Sequence, residues 1–112
     1  MNDVSPTRAA ELVAAGAQLV DVREGYEYEA GHIAGARHVE LNQLTAAASS
    51  LEAPIVFYCR SGERSAMAAE AFGAAGKEAY TVAGGLLAWV EADLPLEPED
   101  GSVAERTVAP SQ

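Results

Sequence analysis

The chain has 112 residues, enough for one domain that buries roughly two-thirds of its unfolded surface without metal or disulfide support. Seventeen Asp and Glu against seven Lys and Arg leave a net charge of −10, which repels phosphate backbones and anionic lipid heads, so neither nucleic acid nor a membrane is expected as a partner. No apolar run approaches the ~20 residues that span a bilayer, and Met1 to Arg8 has no basic start followed by an apolar stretch, so a cytoplasmic protein is expected.

Ser5-Pro6 opens a first helix, with Ser5 as cap and Pro6 in the first turn. Ala9, Leu12 and Val13 form its apolar stripe and Gly16 ends it. Leu19-Val20-Asp21-Val22 reads as a short buried strand. Residues 24–30 should make one or two helical turns that stop at Gly31, and Gly35-Ala36 turns the chain into another short extended piece. The Ala-rich stretch from Leu41 to Ser50 predicts a helix. Ile55-Val56-Phe57-Tyr58 is a continuous apolar, β-favouring run, typical of a strand covered on both faces. A polar segment from Cys59 to Arg64 follows. A helix is then predicted from Ser65, with Met67, Ala68, Ala71, Phe72 and Ala75 on one buried face and Gly76 as its stop. Ala79-Tyr80-Thr81-Val82 is a further strand, and a last helix from Leu86 to about Ala92 should bury Leu86, Trp89 and Val90.

Short strands alternating with helices predict an α/β open sheet with parallel pairing through right-handed crossovers. In such sheets ligands sit at the carboxyl ends of strands, and Cys59 lies just past one. The domain is expected over residues 1–97, with 98–112 as a polar, loosely packed tail.

Cys59 is the only cysteine, so no intramolecular disulfide can form, a Cys-based zinc site lacks its ligands, and neither metal nor cofactor is expected. A lone cysteine is either a small buried hydrophobe or a nucleophile. Its context favours the second. A loop bending from a strand into a helix can point successive backbone N–H groups inward as an anion-binding nest, and the helix start adds partial positive charge. Gly62 permits backbone angles that a side chain would forbid. A thiol at the rim of such a cup is favoured as thiolate, the attacking form.

Cys59-Arg60-Ser61-Gly62-Glu63-Arg64-Ser65 resembles the active-site loop of the single-domain rhodanese-like sulfurtransferase family. Leu19 to Glu24 with Gly31 to Ala36 is similar to that family's upstream signature, and Gly84-Gly85 followed by Trp89 to its carboxyl-terminal one, all in family order over roughly residues 3 to 96. The resemblance implies a sheet of about five parallel strands with helices on both faces. It also implies ping-pong transfer of sulfane sulfur. Cys59 would take the outer sulfur of a donor such as thiosulfate as a persulfide, and a thiol, cyanide or sulfur-relay protein would remove it. Backbone amides of residues 60–64 would cradle that sulfur, making Arg60, Ser61, Gly62, Glu63, Arg64 and Ser65 the substrate-binding set. Arg60 and Arg64 would attract the anionic donor, with Arg64 also bracing the loop, and Glu63 is expected to point outward onto a neighbouring cation.

Other polar residues read as structural. Asp21 and Arg23 are expected to pair and fix the following turn, His32 to be hydrogen-bonded within its Gly-His-Ile turn, and Tyr26, Tyr28 and Trp89 to pack. His38 carries no signal. Two rival functions remain: a phosphatase or arsenate reductase of the same general fold, disfavoured because Cys59 to Arg64 spans Cys-x4-Arg where those enzymes use Cys-x5-Arg, and a non-enzymatic or partner-dependent sulfur-relay module.

Overall fold

A computed structural model describes residues 2–105. The elements in chain order are β1 (Asp3–Val4), α1 (Pro6–Ala14), β2 (Gln18–Asp21), α2 (Gly25–Ala30), β3 (Arg37–His38), α3 (Leu44–Ala47, between single 3-10 turns at Leu41–Gln43 and Ala48–Ser50), β4 (Ile55–Tyr58), α4 (Glu63–Ala74), β5 (Ala79–Val82) and α5 (Gly85–Glu91). The five strands form one parallel sheet in the order β1-β5-β4-β2-β3. The expected α/β open sheet with helices on both faces is therefore the fold.

β4 lies between β2 and β5, and all four of its side chains are buried. Successive side chains leave a strand on opposite faces, so Ile55 and Phe57 enter one core and Val56 and Tyr58 the other. The first core gathers Val20, Val22, Leu44, Ala68 and Phe72, with Phe57 and Phe72 in edge contact at 5.1 Å. The second gathers Ala9, Leu19, Val82, Leu86 and Trp89 beneath α1 and α5. Ser5 caps α1 as expected, its hydroxyl accepting from the Arg8 amide at 3.1 Å.

The structure departs from the sequence reading at five places. β1 was not anticipated: two residues carry no periodicity, and pairing with β5 alone makes them a strand. Residues 41–50 are three short turns of two helix types, through which Leu44 is buried in the first core with Leu41, Ala47 and Ala48 packed against it. α4 begins at Glu63 and is rotated by about one residue from the expected face. It buries Arg64, Ser65, Ala68, Ala69 and Phe72, while Met67 is 55% exposed and Ala71 and Ala75 are exposed. Val90 of α5 is also exposed. Finally, residues 98–105, expected in a loose tail, fold back on α2: the Ser102 amide donates to Ala30 O at 2.9 Å and Val103 packs against the second core. The remainder of the expected tail lies outside the described residues.

Candidate active site

Cys59 follows the carboxyl end of β4, the central strand. The chain then turns through Arg60 and Ser61 to Gly62, which adopts φ +115°, a left-handed conformation that side chains disfavour. This turn brings two amides onto the sulfur: the Gly62 N–H donates to Cys59 Sγ at 3.1 Å and the Ser65 N–H at 3.4 Å. Ser65 Oγ lies 3.5 Å from Sγ, donates to Gly62 O at 3.2 Å and shares a hydrogen bond with Thr81 Oγ1 on β5. The sulfur thus sits at the amino-terminal end of a twelve-residue helix, among its first unpaired donors. Cys59 is 1% exposed. It lies beneath the loop and not at the rim expected from sequence, because it continues the alternation of β4 into the first core while the loop closes over it.

The loop is held from below by α5. The amides of Leu86 and Leu87 donate to Cys59 O at 2.8 Å and Arg60 O at 3.1 Å. That approach explains Gly84-Gly85: a Cβ at Gly85 would stand 2.5 Å from Arg60 O and 2.7 Å from Cys59 O, so a larger residue would push the loop away.

It is held from the side by α2. Arg64 donates through Nη1 to Glu27 Oε1 at 2.8 Å and through Nη2 to Oε2 at 3.0 Å, a bidentate pair with Glu27 fully buried. Burial alone would raise the Glu27 carboxyl, but Arg64's hydrogen bonds and charge, together with the Glu24 amide at 3.0 Å, outweigh it and hold the group below the usual range. The same hydrogen bonds with Glu27, opposed by burial, raise Arg64. Arg64 therefore spends its donors on a protein carboxylate. Glu63 is exposed, as expected, and its carboxylate accepts from the Ser61 hydroxyl. Arg60 is half-buried, and its Nε is buried without a hydrogen-bond partner among the described residues.

α2 is itself fixed by the expected Asp21–Arg23 pair. Arg23 donates through Nε and Nη2 to Asp21, at 2.7 Å for the shortest bond, and through Nη2 to Gly31 O at 2.7 Å, with both residues fully buried. Burial works against the Arg23 charge, but the Asp21 hydrogen bond and carboxylate outweigh it and raise the guanidinium. Tyr58 accepts the Ile33 amide at 3.0 Å beneath this pair. His32 bonds Tyr28 O at 2.8 Å, a structural role as expected, and Trp89 donates to Pro95 O at 2.9 Å. His38, silent in the sequence, bonds Arg23 O at 2.7 Å and stacks on Tyr28.

Of the segment 59–65, the structure brings Gly62 and Ser65 onto the Cys59 sulfur, pairs Ser61 with Glu63 and turns Arg64 to Glu27. Sequence reasoning missed Glu27, Thr81 and the reason for Gly85. Glu27 is 37 positions from Arg64, and no spacing rule links them. Its only signal was an acidic residue in the first turn of a short helix next to a conspicuous Arg-rich loop.

A family model described as Rhodanese-like domain matches residues 5–92. The chain is 37% identical over 105 residues to the thiosulfate sulfurtransferase GlpE of Pseudomonas paraeruginosa, covering 91% of this chain and 92% of that protein. Among solved structures it is similar to a rhodanese-related protein from Thermoplasma volcanium, with a TM-score of 0.78 and 28% identity over 86% of this chain and 97% of that one. A thiosulfate sulfurtransferase from Pseudomonas aeruginosa aligns with a TM-score of 0.76 and 31% identity, over 86% of this chain and 19% of that larger one.

Proposed function

The chain belongs to the rhodanese-like domain family, and on that premise we propose that it is a cytoplasmic sulfurtransferase moving sulfane sulfur from a donor such as thiosulfate to a thiophilic acceptor through a Cys59 persulfide. The observation that carries this reading is the convergence of the Gly62 and Ser65 amides on the protein's only thiol. Donors aimed at sulfur stabilise negative charge there, and they act without reorganising because the helix start and Gly62 already hold them in place.

In the first half-reaction the Cys59 thiolate attacks the outer sulfur of thiosulfate. The new S–S bond forms from the thiolate's electron pair, the donor's S–S bond breaks, and sulfite leaves with that pair. The persulfide carries one negative charge on its outer sulfur. In the second half-reaction an acceptor thiolate attacks that outer sulfur, and Cys59 leaves with the bonding pair as thiolate. Neither step needs a metal, a redox partner or a general base beyond the loop. Arg60, half-buried in the same loop, is the remaining loop cation for an anionic donor. Arg64 positions the loop through Glu27 and does not meet the donor directly. That commitment also speaks against the phosphatase or arsenate reductase alternative, in which an arginine free to grip an oxyanion is needed. The burial of Cys59 restricts attack to donors that present a terminal sulfur.

Intact mass after thiosulfate treatment tests the reaction class: the chain should gain one sulfur atom, and cyanide or dithiothreitol should remove it. Cys59→Ser should keep the fold, gain no sulfur and show no thiosulfate:cyanide transfer. Transfer retained in that variant would overturn the proposal.

A further inference from the structure

A cavity of about 530 Å³ reaches the loop at Arg64 and is otherwise walled by Val22, Glu24, Glu40, Leu41 and Asn42. The one cation in that wall, Arg64, is neutralised by Glu27, which leaves Glu24 and Glu40 to set the sign of the field. Arg60 does not line this cavity, and the chain as a whole carries −10. Leu41 also lines a second, apolar groove of about 450 Å³ in which Leu44, Met67, Ala71 and Phe72 face one another between the 41–50 segment and α4. The groove exists because α4 is rotated so that Ser65 and Arg64 face inward, which turns Met67 and Ala71 outward. It is larger than any small sulfur compound requires, and it meets the acidic cavity at Leu41.

Resting on the sulfur-transfer reading, we infer that the acceptor is a cysteine of a partner protein, flanked by Lys or Arg that meet Glu24 and Glu40 and by an apolar side chain that seats in the Leu44–Met67–Phe72 groove. The acceptor thiolate's electron pair attacks the outer sulfur of the Cys59 persulfide, the S–S bond to Cys59 breaks with its pair returning to Cys59, and the partner leaves as a persulfide. Opposite charge at the cavity raises the encounter rate, an effect that salt screens.

The test begins with protein loaded with one sulfur by concentrated thiosulfate and verified by intact mass. Discharge is then timed against four acceptors: a peptide with one cysteine flanked by Arg and Leu, its counterpart with Glu replacing Arg, cysteamine as a small cationic thiol, and N-acetylcysteine as a small anionic one. The basic peptide should discharge the protein about tenfold faster than the acidic one at low salt, and the two rates should converge at high salt. It should also outpace cysteamine several-fold. The double variant Glu24→Gln, Glu40→Gln should shrink the basic-to-acidic ratio to about twofold, which separates steering at the cavity from the intrinsic reactivity of each thiol. Met67→Asp should slow the basic peptide several-fold more than it slows cysteamine. Equal rates for the two peptides, a ratio unchanged in the double variant, or cysteamine matching the basic peptide would overturn the inference. A chain that never gains sulfur would overturn the sulfur-transfer reading and the inference with it, so the two failures are distinct.

Discussion

Two buried arginine–carboxylate pairs stand side by side in this protein, and they do different work. Asp21 and Arg23 are two residues apart, both fully buried, and close on the carbonyl of Gly31 within a single stretch of chain. Glu27 and Arg64 are 37 positions apart and join α2 to the first turn of α4. The first pair needs only local folding and fixes the frame on which α2 starts. The second forms only once β4, its loop and α2 are assembled, and so couples the Cys59 loop to that frame. Similar chemistry at different sequence separation yields a structural brace in one case and a site-positioning brace in the other. Neither pair is strong evidence of net stability, since desolvation offsets much of the attraction, but removing one partner strands a buried charge.

The comparison breaks most visibly at the local pair. Asp21→Ala leaves the Arg23 charge buried without its carboxylate and should cost about 3–5 kcal/mol of unfolding free energy, read by urea denaturation. At a temperature where the variant stays folded, its sulfur-transfer kcat/KM should fall by far less than that of Glu27→Gln, because the direct Glu27–Arg64 brace remains. Glu27→Gln should reverse that balance. Its stability cost is smaller, about 2–3 kcal/mol, since Arg64 lies at a cavity and retains one neutral partner. Yet its kcat/KM should fall by roughly a hundredfold if the loop shifts by about an ångström. A Glu27→Gln variant with full activity and lost stability would show that the long-range pair is merely structural.

Acid sharpens the distinction further. Arg64 holds the folded Glu27 carboxyl below its ordinary range, so the folded chain binds fewer protons there than the unfolded one. Its contribution is therefore complete at neutral pH and is lost as the pH falls through and below the ordinary glutamate range. Glu27→Gln should lose less stability than the parent over that descent, and a parallel loss would remove Glu27 from the account. The smallest effect is expected at the frame's support: Tyr58→Phe leaves the Ile33 amide without its hydroxyl acceptor and should cost roughly 1–2 kcal/mol with activity preserved.

Much of the fold was legible because local signals agreed. The Ile55–Tyr58 run, the Ser5-Pro6 start of α1 and the glycines that end helices each point to one element, and alternation of strands with helices leaves few topologies. The candidate site was legible for a similar reason: its thiol and amide donors occupy seven consecutive residues, and Gly62 sits where the backbone needs a left-handed turn. What was not legible depends on partners distant in the chain. Glu27 has no sequence mark that assigns it to Arg64, and Gly85 shows its purpose only when α5 is seen to approach the carbonyls of Cys59 and Arg60.

The face of α4 divides these two kinds of information most clearly. Apolar periodicity by itself permits Met67, Ala71 and Ala75 to be the buried stripe. Polar contacts decide against it: Ser65 must reach Thr81 and the sulfur, and Arg64 must reach Glu27. Those bonds turn the helix by about one residue, burying two polar side chains and leaving a methionine in water. Sequence alone determined that a helix follows the loop, that the sheet is parallel and that Cys59 stands at a strand's carboxyl end, because these follow from near neighbours and their periodicity. Only tertiary structure decided which way the helix faces, how deep the sulfur lies and what holds the loop, because a buried hydrogen bond left unmade costs more than an apolar side chain left exposed.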